Sequence, residues 1–143
     1  MKAYDPRMHS AEHILNQTMD RLFHCGRAFS AHVEKKKSKC DYRFDRNLTA
    51  GETLEIERRV RDVISANMAV REEFLSREEA VRGFKLDRLP PEAGDRIRII
   101  RIGDYDACPC SGKHVGNTAE IGVFAIISSD FNNGVLRVRF RID

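Results

Sequence analysis

The hydrophobic pattern of residues 5–23 predicts an amphipathic helix near the N-terminus. Its apolar positions recur every three or four residues, which places them on one stripe of a helix. Asp5 is a suitable N-cap, and Pro6 follows at the first helical position, where a missing N–H costs nothing. The stripe consists of Met8, Leu15, Met19 and Leu22.

Two further helices are predicted downstream. Residues 49–69 start with Thr49 and Glu52 at capping-box spacing, and an apolar residue then recurs at helical intervals. Residues 76–83 begin with the same spacing and end at Gly83, a typical helix stop. These two segments therefore complete a set of three helices.

Alternation of apolar and polar residues predicts strands in the rest of the chain. The predicted strands are residues 28–34, 39–45, 70–75, 96–103, 121–130 and 134–142, and the predicted loop is residues 87–95. Turn residues join several of these strands in hairpins. We therefore predict one α+β domain over residues 1–143, with a largely antiparallel sheet packed against helices.

Composition places the chain among water-soluble globular proteins. It is 41% hydrophobic and 33% charged, with no apolar run of membrane-spanning length. The opening residues lack a signal-peptide pattern, so we expect a cytoplasmic protein with reduced thiols and no membrane partner. Cys25 and Cys40 are interpreted as structural. No glycine-rich phosphate loop occurs, so no nucleotide cofactor is expected.

The net charge of +3 is small, but its carriers are clustered. In the strands of residues 96–101 and 137–141, arginines alternate with apolar residues. Such strands could present basic faces to a polyanion. The basic run at residues 57–61 lies on a predicted helix and fits an ordinary solvated face equally well.

Two short motifs carry candidate metal chemistry. His9 and His13 are four residues apart, so both imidazoles project from one face of the first helix. Cys110 and His114 have the same spacing in "CPCSGKH", where a glycine lets the loop curl. Three nitrogens and one thiolate suit tetrahedral zinc, whereas magnesium or calcium prefers oxygen ligands. A histidine pair at this spacing also occurs by chance on helix surfaces, so the prediction of a metal site depends on the second motif as well.

The two motifs together resemble a known family. "HSAEHIL", followed late in the chain by "CSGKHVGNTAEIG", resembles the editing domain of alanyl-tRNA synthetase and the related free-standing editing proteins of the AlaX type. This is the second additional domain family shared by threonyl- and alanyl-tRNA synthetases. The order of the predicted elements is similar along nearly all of the chain.

The resemblance implies hydrolysis of mischarged tRNA. The implied substrate is Ser-tRNA(Ala), with Gly-tRNA(Ala) as a second one, because an alanine pocket discriminates poorly against amino acids of such similar size. The chain has no room for an aminoacylation domain, so we expect it to act in trans. Zinc could activate water, polarise the ester or orient the substrate. The sequence does not choose among these three roles. Four protein ligands ordinarily close a zinc site, which leaves no open position for water or substrate.

Several residues are candidates for the substrate pocket and for contact with tRNA. Cys108, His32 and Ser30 could line the pocket, although the sequence favours a small loop residue for Cys108 and a structural histidine for His32. Thr118 and Glu120 are expected to brace the metal loop. The candidate tRNA contacts are Lys35, Lys36, Lys37 and Arg137.

Two alternatives stay open from sequence alone. One is editing of Ser-tRNA(Thr), because the threonyl enzyme's editing domain has the same pair of motifs. The other is a structural zinc module that binds RNA without catalysis, which four ligands would fit. The sequence does not fix the oligomeric state.

Overall fold

The fold combines three α-helices with two antiparallel sheets in a computed structural model that describes residues 5–86 and 94–143. The elements are α1 (Pro6–Phe23), β1 (Ser30–His32), β2 (Ser38–Arg43), α2 (Ala50–Ser65), β3 (Val70–Ser76), α3 (Arg77–Gly83), β4 (Arg96–Ile102), β5 (Asp106–Pro109), a 3-10 helix (Thr118–Ile121), β6 (Phe124–Asn132) and β7 (Val135–Ile142). The α+β prediction is confirmed.

The strands divide between two sheets rather than forming one. The four-stranded sheet has the order β1-β2-β7-β6, and the three-stranded sheet has the order β3-β4-β5. Strand β5 was not predicted, because its four residues are too few to show alternation and end at Pro109. Its pairing with β4 creates the smaller sheet and determines where the chain continues toward Cys110.

Element boundaries differ from the sequence prediction by a few residues. The first hairpin strands are shorter than predicted, covering residues 30–32 and 38–43. Helix α2 ends at Ser65 rather than at residue 69, because Asn67 adopts the left-handed conformation with φ 52°. Most of the predicted loop at residues 87–95 lies outside the described residues.

Helix α1 is enclosed on nearly every side. Its apolar stripe packs in the main core with α2 and the four-stranded sheet. The polar side of the same helix is buried as well, because β5 and the loop after it lie against it. The buried polar residues of α1 are His9, Ser10, Glu12, His13, Asn16 and Thr18. Their side chains therefore need partners inside the protein.

Asn16 shows how that requirement is met. Its Oδ1 accepts hydrogen bonds from the backbone N–H of Ala28 at 3.1 Å and from the Tyr42 hydroxyl at 2.7 Å. Its Nδ2 donates to Glu12 at 2.9 Å. One amide thus joins α1 to β2 and to the segment before β1, which fixes the helix over the sheet.

None of the helices among the described residues is both long enough and apolar enough to cross a membrane.

We predict that Tyr42→Phe destabilises the fold, because the fully buried hydroxyl makes one of the hydrogen bonds to Asn16. Asn16 keeps its bond from Ala28, so the expected loss is about 1 kcal/mol. A lower urea midpoint with an unchanged slope would show this. Ser128→Ala removes an exposed hydroxyl and serves as the control. Equal midpoints for the two variants would contradict the prediction.

Candidate metal centre

The two motifs at opposite ends of the chain meet in one cluster. His9 and His13 lie one turn apart on α1, Cys110 follows β5, and His114 lies in the next loop. The four side chains each offer a donor atom within 4.8 Å of all the others. Cys110 Sγ lies 3.4 Å from His9 Nε2. The arrangement could therefore hold a metal ion.

Burial of α1 keeps the two histidines out of bulk water. His9 is 6% exposed and His13 is 3% exposed. Their ring centroids are 5.0 Å apart, close to the rise of one helical turn, and the His114 ring stacks on His9 at 4.2 Å. The helix therefore supplies two rings in a fixed relation, and the later loop brings the third ring onto them.

Backbone contacts hold the loop after β5 in place. The Cys110 N–H donates to the Arg98 carbonyl at 3.2 Å, which continues the pairing of β5 with β4 by one residue. The Arg98 guanidinium donates in return to the carbonyls of Cys110 at 3.1 Å and Gly112 at 2.7 Å. Glu72 accepts from Arg98 Nε at 2.6 Å and so orients that guanidinium.

Gly112 is required where the loop crosses the His9 ring. A Cβ at this position would lie 2.4 Å from His9 Cε1 and 2.7 Å from Nδ1, inside any real contact distance. The neighbouring Lys113 carbonyl lies 3.1 Å from the same Nδ1. Because a carbonyl oxygen only accepts, the Nδ1 proton is directed to it, and Nε2 is left for the cluster.

The hydrogen bonding of His114 leaves one ring nitrogen for a cation. Ser10 Oγ lies 3.0 Å from His114 Nδ1. The same hydroxyl oxygen accepts a hydrogen bond from the Val115 N–H at 3.2 Å. Nε2 of the same ring is buried and has no hydrogen-bond partner among the described residues. Buried polar atoms seldom lack partners, so this nitrogen fits the role of a metal ligand. The donor set suits zinc chemistry.

Asp106 is the acidic neighbour of His13. Its Oδ2 lies 3.7 Å from His13 Nδ1, an ion-pair contact that is longer than a hydrogen bond, and this Nδ1 is buried without a hydrogen-bond partner among the described residues. The carboxylate is fully buried and is held by Arg27 at 2.7 Å and Gln17 at 2.9 Å. A carboxylate behind a ligating histidine orients the ring and increases its basicity.

The electrostatics favour a thiolate in the cluster. Burial raises the pKa of Cys110, but interactions with His114, His13 and His9 outweigh it and lower the pKa to about 3. Burial lowers the pKa of His13, but Asp106 and Cys110 raise it to about 9. Burial also lowers the pKa of His114, to about 4. A thiolate and a neutral imidazole are therefore present, and a cation competes with the proton on His13.

The predicted pocket residues lie in different places. Cys108 lies on β5 and is half-buried, and burial raises the pKa of its thiol to about 12, so the thiol is neutral. Ser30 and His32 lie on β1, at the edge of the four-stranded sheet, and His32 is exposed. None of these three belongs to the four-residue cluster.

The predicted tRNA contacts also differ in environment. Lys35, Lys36 and Lys37 are exposed in the turn between β1 and β2. Arg137 on β7 instead makes two hydrogen bonds to Asp41 on β2, at 2.8 and 2.9 Å. The guanidinium therefore faces a carboxylate that already balances its charge.

Thr118 and Glu120 brace the chain beyond the metal loop. Thr118 donates to the carbonyl of Val63 at 2.9 Å and accepts the Met68 N–H at 2.8 Å. Glu120 accepts the Asn117 N–H at 2.7 Å. These contacts tie the 3-10 helix to the end of α2 and do not involve the histidines of the cluster.

Sequence reasoning missed the residues that support the cluster from outside. Asp106 precedes Cys110 by four residues, so the alternation of an extended strand would have placed both on one face. That inference required β5, which was too short to predict. Arg98 and Ser10 had no sequence signal, because their roles come from contacts across more than ten residues of chain.

We predict that Gly112→Ala weakens metal binding, because the added methyl displaces either the loop or the His9 ring. Overpacking of about 1–3 kcal/mol corresponds to about 5- to 150-fold lower affinity. Titration with Zn²⁺ against a competing chelator measures this. Gly51→Ala is the matched control, since nothing lies within 4 Å of its new Cβ. Equal affinity of both variants would contradict the prediction.

We also predict that Asp106→Asn lowers zinc affinity by about 10- to 100-fold, because His13 loses the carboxylate behind it. The same chelator competition measures the change, at a temperature where circular dichroism shows the variant folded. Asp104→Asn makes the same substitution at an exposed position two residues earlier. An Asp106→Asn affinity equal to that of this control would remove the carboxylate from the metal centre.

Comparisons with known proteins agree with this geometry. Residues 97–139 match the model of the Threonyl and Alanyl tRNA synthetase second additional domain, a segment that includes Cys110 and His114. The chain is similar to alanine–tRNA ligases, at 33% identity over 129 residues for Neisseria gonorrhoeae and 34% over 135 residues for Fervidobacterium nodosum. The Leptospira biflexa ligase is 36% identical over 126 residues.

These alignments cover 83–92% of this chain but only 13–16% of each ligase. The chain therefore spans about one seventh of the length of these relatives. The chain belongs to the family of the threonyl and alanyl tRNA synthetase second additional domain, and its relatives here are of the alanyl type.

Proposed function

We propose that this protein hydrolyses the ester of mischarged aminoacyl-tRNA, with Ser-tRNA(Ala) as its main substrate and Gly-tRNA(Ala) as a second one. The observation that carries the proposal is the convergence of two distant motifs on one cluster of donors within 4.8 Å. The similarity to alanine–tRNA ligases supplies the tRNA class. Action in trans on already charged tRNA is part of the proposal.

Zinc is the proposed metal, held by His9, His13, Cys110 and His114. Three imidazoles and a thiolate form a donor set typical of zinc, and no hard oxygen ligand is among them. When bound, zinc supplies Lewis acidity for an ester carbonyl or a water molecule. Three residues outside the ligand set orient its histidines. Asp106 contacts His13, Ser10 contacts His114, and the Lys113 carbonyl contacts His9.

An open cleft of about 620 Å³ gives access to the cluster at His114. Arg7 and Lys35 lie on its walls with Asp5 and Glu120; Arg7 Nε is 3.8 Å from Asp5 Oδ1, and the Lys35 side chain is exposed. These two cations can approach the phosphates of a tRNA acceptor end while the ester enters toward His114. Lys35 was a candidate tRNA contact from sequence, and the cleft supports the proposal for it.

Cys108 is proposed as a neutral neighbour of the amino-acid moiety. Burial keeps its thiol protonated, so it is a poor nucleophile and a weak hydrogen-bond donor. The lowered pKa of Cys110 instead favours the thiolate that a metal requires. The two cysteines are thereby assigned different tasks, although only one residue separates them.

Release of serine from charged tRNA(Ala) tests the proposal. His9→Ala and Cys110→Ala each remove a ligand, so the rate constant should fall by about 100-fold or more, given the several kcal/mol that a metal supplies. Cys25→Ala removes a half-buried cysteine outside the cluster and should retain the rate. Bound zinc is measured on every variant.

Undiminished release by both ligand variants would contradict the role of the metal. Ser-tRNA(Thr) and Gly-tRNA(Ala) are included in the same assay, so preferential release from Ser-tRNA(Thr) would reassign the substrate to the threonyl alternative.

The four-donor set also favours a second function, a structural zinc site in a module that binds RNA without catalysis. Four protein ligands ordinarily complete the tetrahedral shell of structural zinc. Stoichiometric zinc and measurable tRNA affinity, with no release of amino acid from any ester in the panel, would identify this function.

A further inference from the structure

The face of the three-stranded sheet that carries Cys110 extends to an exposed aromatic residue. Phe74 on β3 lies directly opposite Arg98 on β4, and the register of β4 with β5 continues to place Cys110 opposite Arg98 on the other side. Residues paired in this way have side chains on one face. Phe74, Arg98 and Cys110 therefore form one row across the sheet.

This row is short. Neighbouring strands are about 4.8 Å apart, so the backbones of Phe74 and Cys110 are separated by about 10 Å. Arg98 between them is already occupied by Glu72 and by the carbonyls of the metal loop. Phe74 is the aromatic residue on the strands of this sheet, and it lies on the same face as Cys110.

At the other end of the row, Phe74 and its neighbour Arg96 have the chemistry of a stacking surface. Phe74 is 44% exposed, and the Arg96 guanidinium lies 4.3 Å from its ring centroid. A phenyl ring and a guanidinium both offer flat faces on which nucleobases stack. The neighbours of Phe74 on this face include the charged residues Glu72, Arg96 and Arg98, which is unlike the centre of a protein–protein interface.

We propose that Phe74 and Arg96 form a stacking platform for the unpaired terminal base of the RNA whose ester enters the metal centre. This inference rests on the proposed function, because the base and the ester are attached to the same terminal ribose. A platform in the same row as Cys110, at a backbone separation of about 10 Å, matches that covalent connection. Stacking is tolerant of base identity, so the platform orients the acceptor end without reading its sequence.

A second Phe–Arg pair provides a matched control. Phe29 is 40% exposed, and the Arg43 guanidinium lies 4.0 Å from its ring centroid. This pair belongs to the region of the four-stranded sheet and lies off the row that contains Cys110. Loss of Phe29 therefore removes the same chemistry from another place.

The experiment uses zinc-loaded protein and a short single-stranded RNA ending in CCA, with 2-aminopurine as the terminal base. Stacking quenches the fluorescence of this base analogue. Wild type and Phe29→Ala should quench it, whereas Phe74→Ala should bind about 5-fold or more weakly with little quenching. Phe74→Trp should restore quenching. In deacylation assays, Phe74→Ala should raise KM more than it lowers kcat.

The outcomes separate the platform from the proposed function. Quenching by wild type that depends on Phe74, without release of amino acid from any ester, would support the platform and contradict the hydrolase. Deacylation by wild type together with equal quenching by Phe74→Ala and Phe29→Ala would overturn the platform alone. Absence of quenching by wild type would also overturn it.

Discussion

The approach of helix α1 to the loop after β5 is the constraint on which the rest of the structure depends. The helix presents two imidazoles one turn apart, and the loop must pass directly over the first of them. Only a residue without a side chain fits at Gly112, and the Arg98 guanidinium holds the carbonyls on either side of the crossing. The buried polar side of α1 follows from the same approach, because a helix covered on both sides has to satisfy its polar groups internally.

Periodicity was enough to predict the three helices and most strands, because these depend on spacing within short segments. The four candidate donors, which the structure brings together, came from the spacing of two motifs and from the family resemblance. Helix α1 agrees with its prediction at both ends, including the Asp5 cap. The division into two sheets, strand β5 and the support given by Asp106 and Arg98 arise from pairing between distant segments. A four-residue strand carries too little pattern to reveal such pairing, so these features required the structure.

Charge patterning was the least informative part of the sequence. The arginines of β4 and β7 alternate with apolar residues as expected, but several face carboxylates on neighbouring strands. The pairs are Arg98–Glu72, Arg101–Glu73, Arg137–Asp41 and Arg139–Asp130. Exposed pairs such as Arg139–Asp130 add little stability, whereas Asp41 of the Arg137 pair is buried. All four pairs neutralise faces that the sequence suggested were basic. Positive charge that can meet a polyanion is therefore better sought in the exposed lysines between β1 and β2.

The contact between His9 and Cys110 joins residues 101 positions apart. Closing so long a segment costs conformational entropy, and the core that α1 shares with the later strands already helps to offset that cost. A cation bound by residues at both ends would act on the chain as a cross-link and would couple unfolding to the metal supply. Scarcity of the ion would then shorten the lifetime of the whole native state, well beyond the few side chains that touch it.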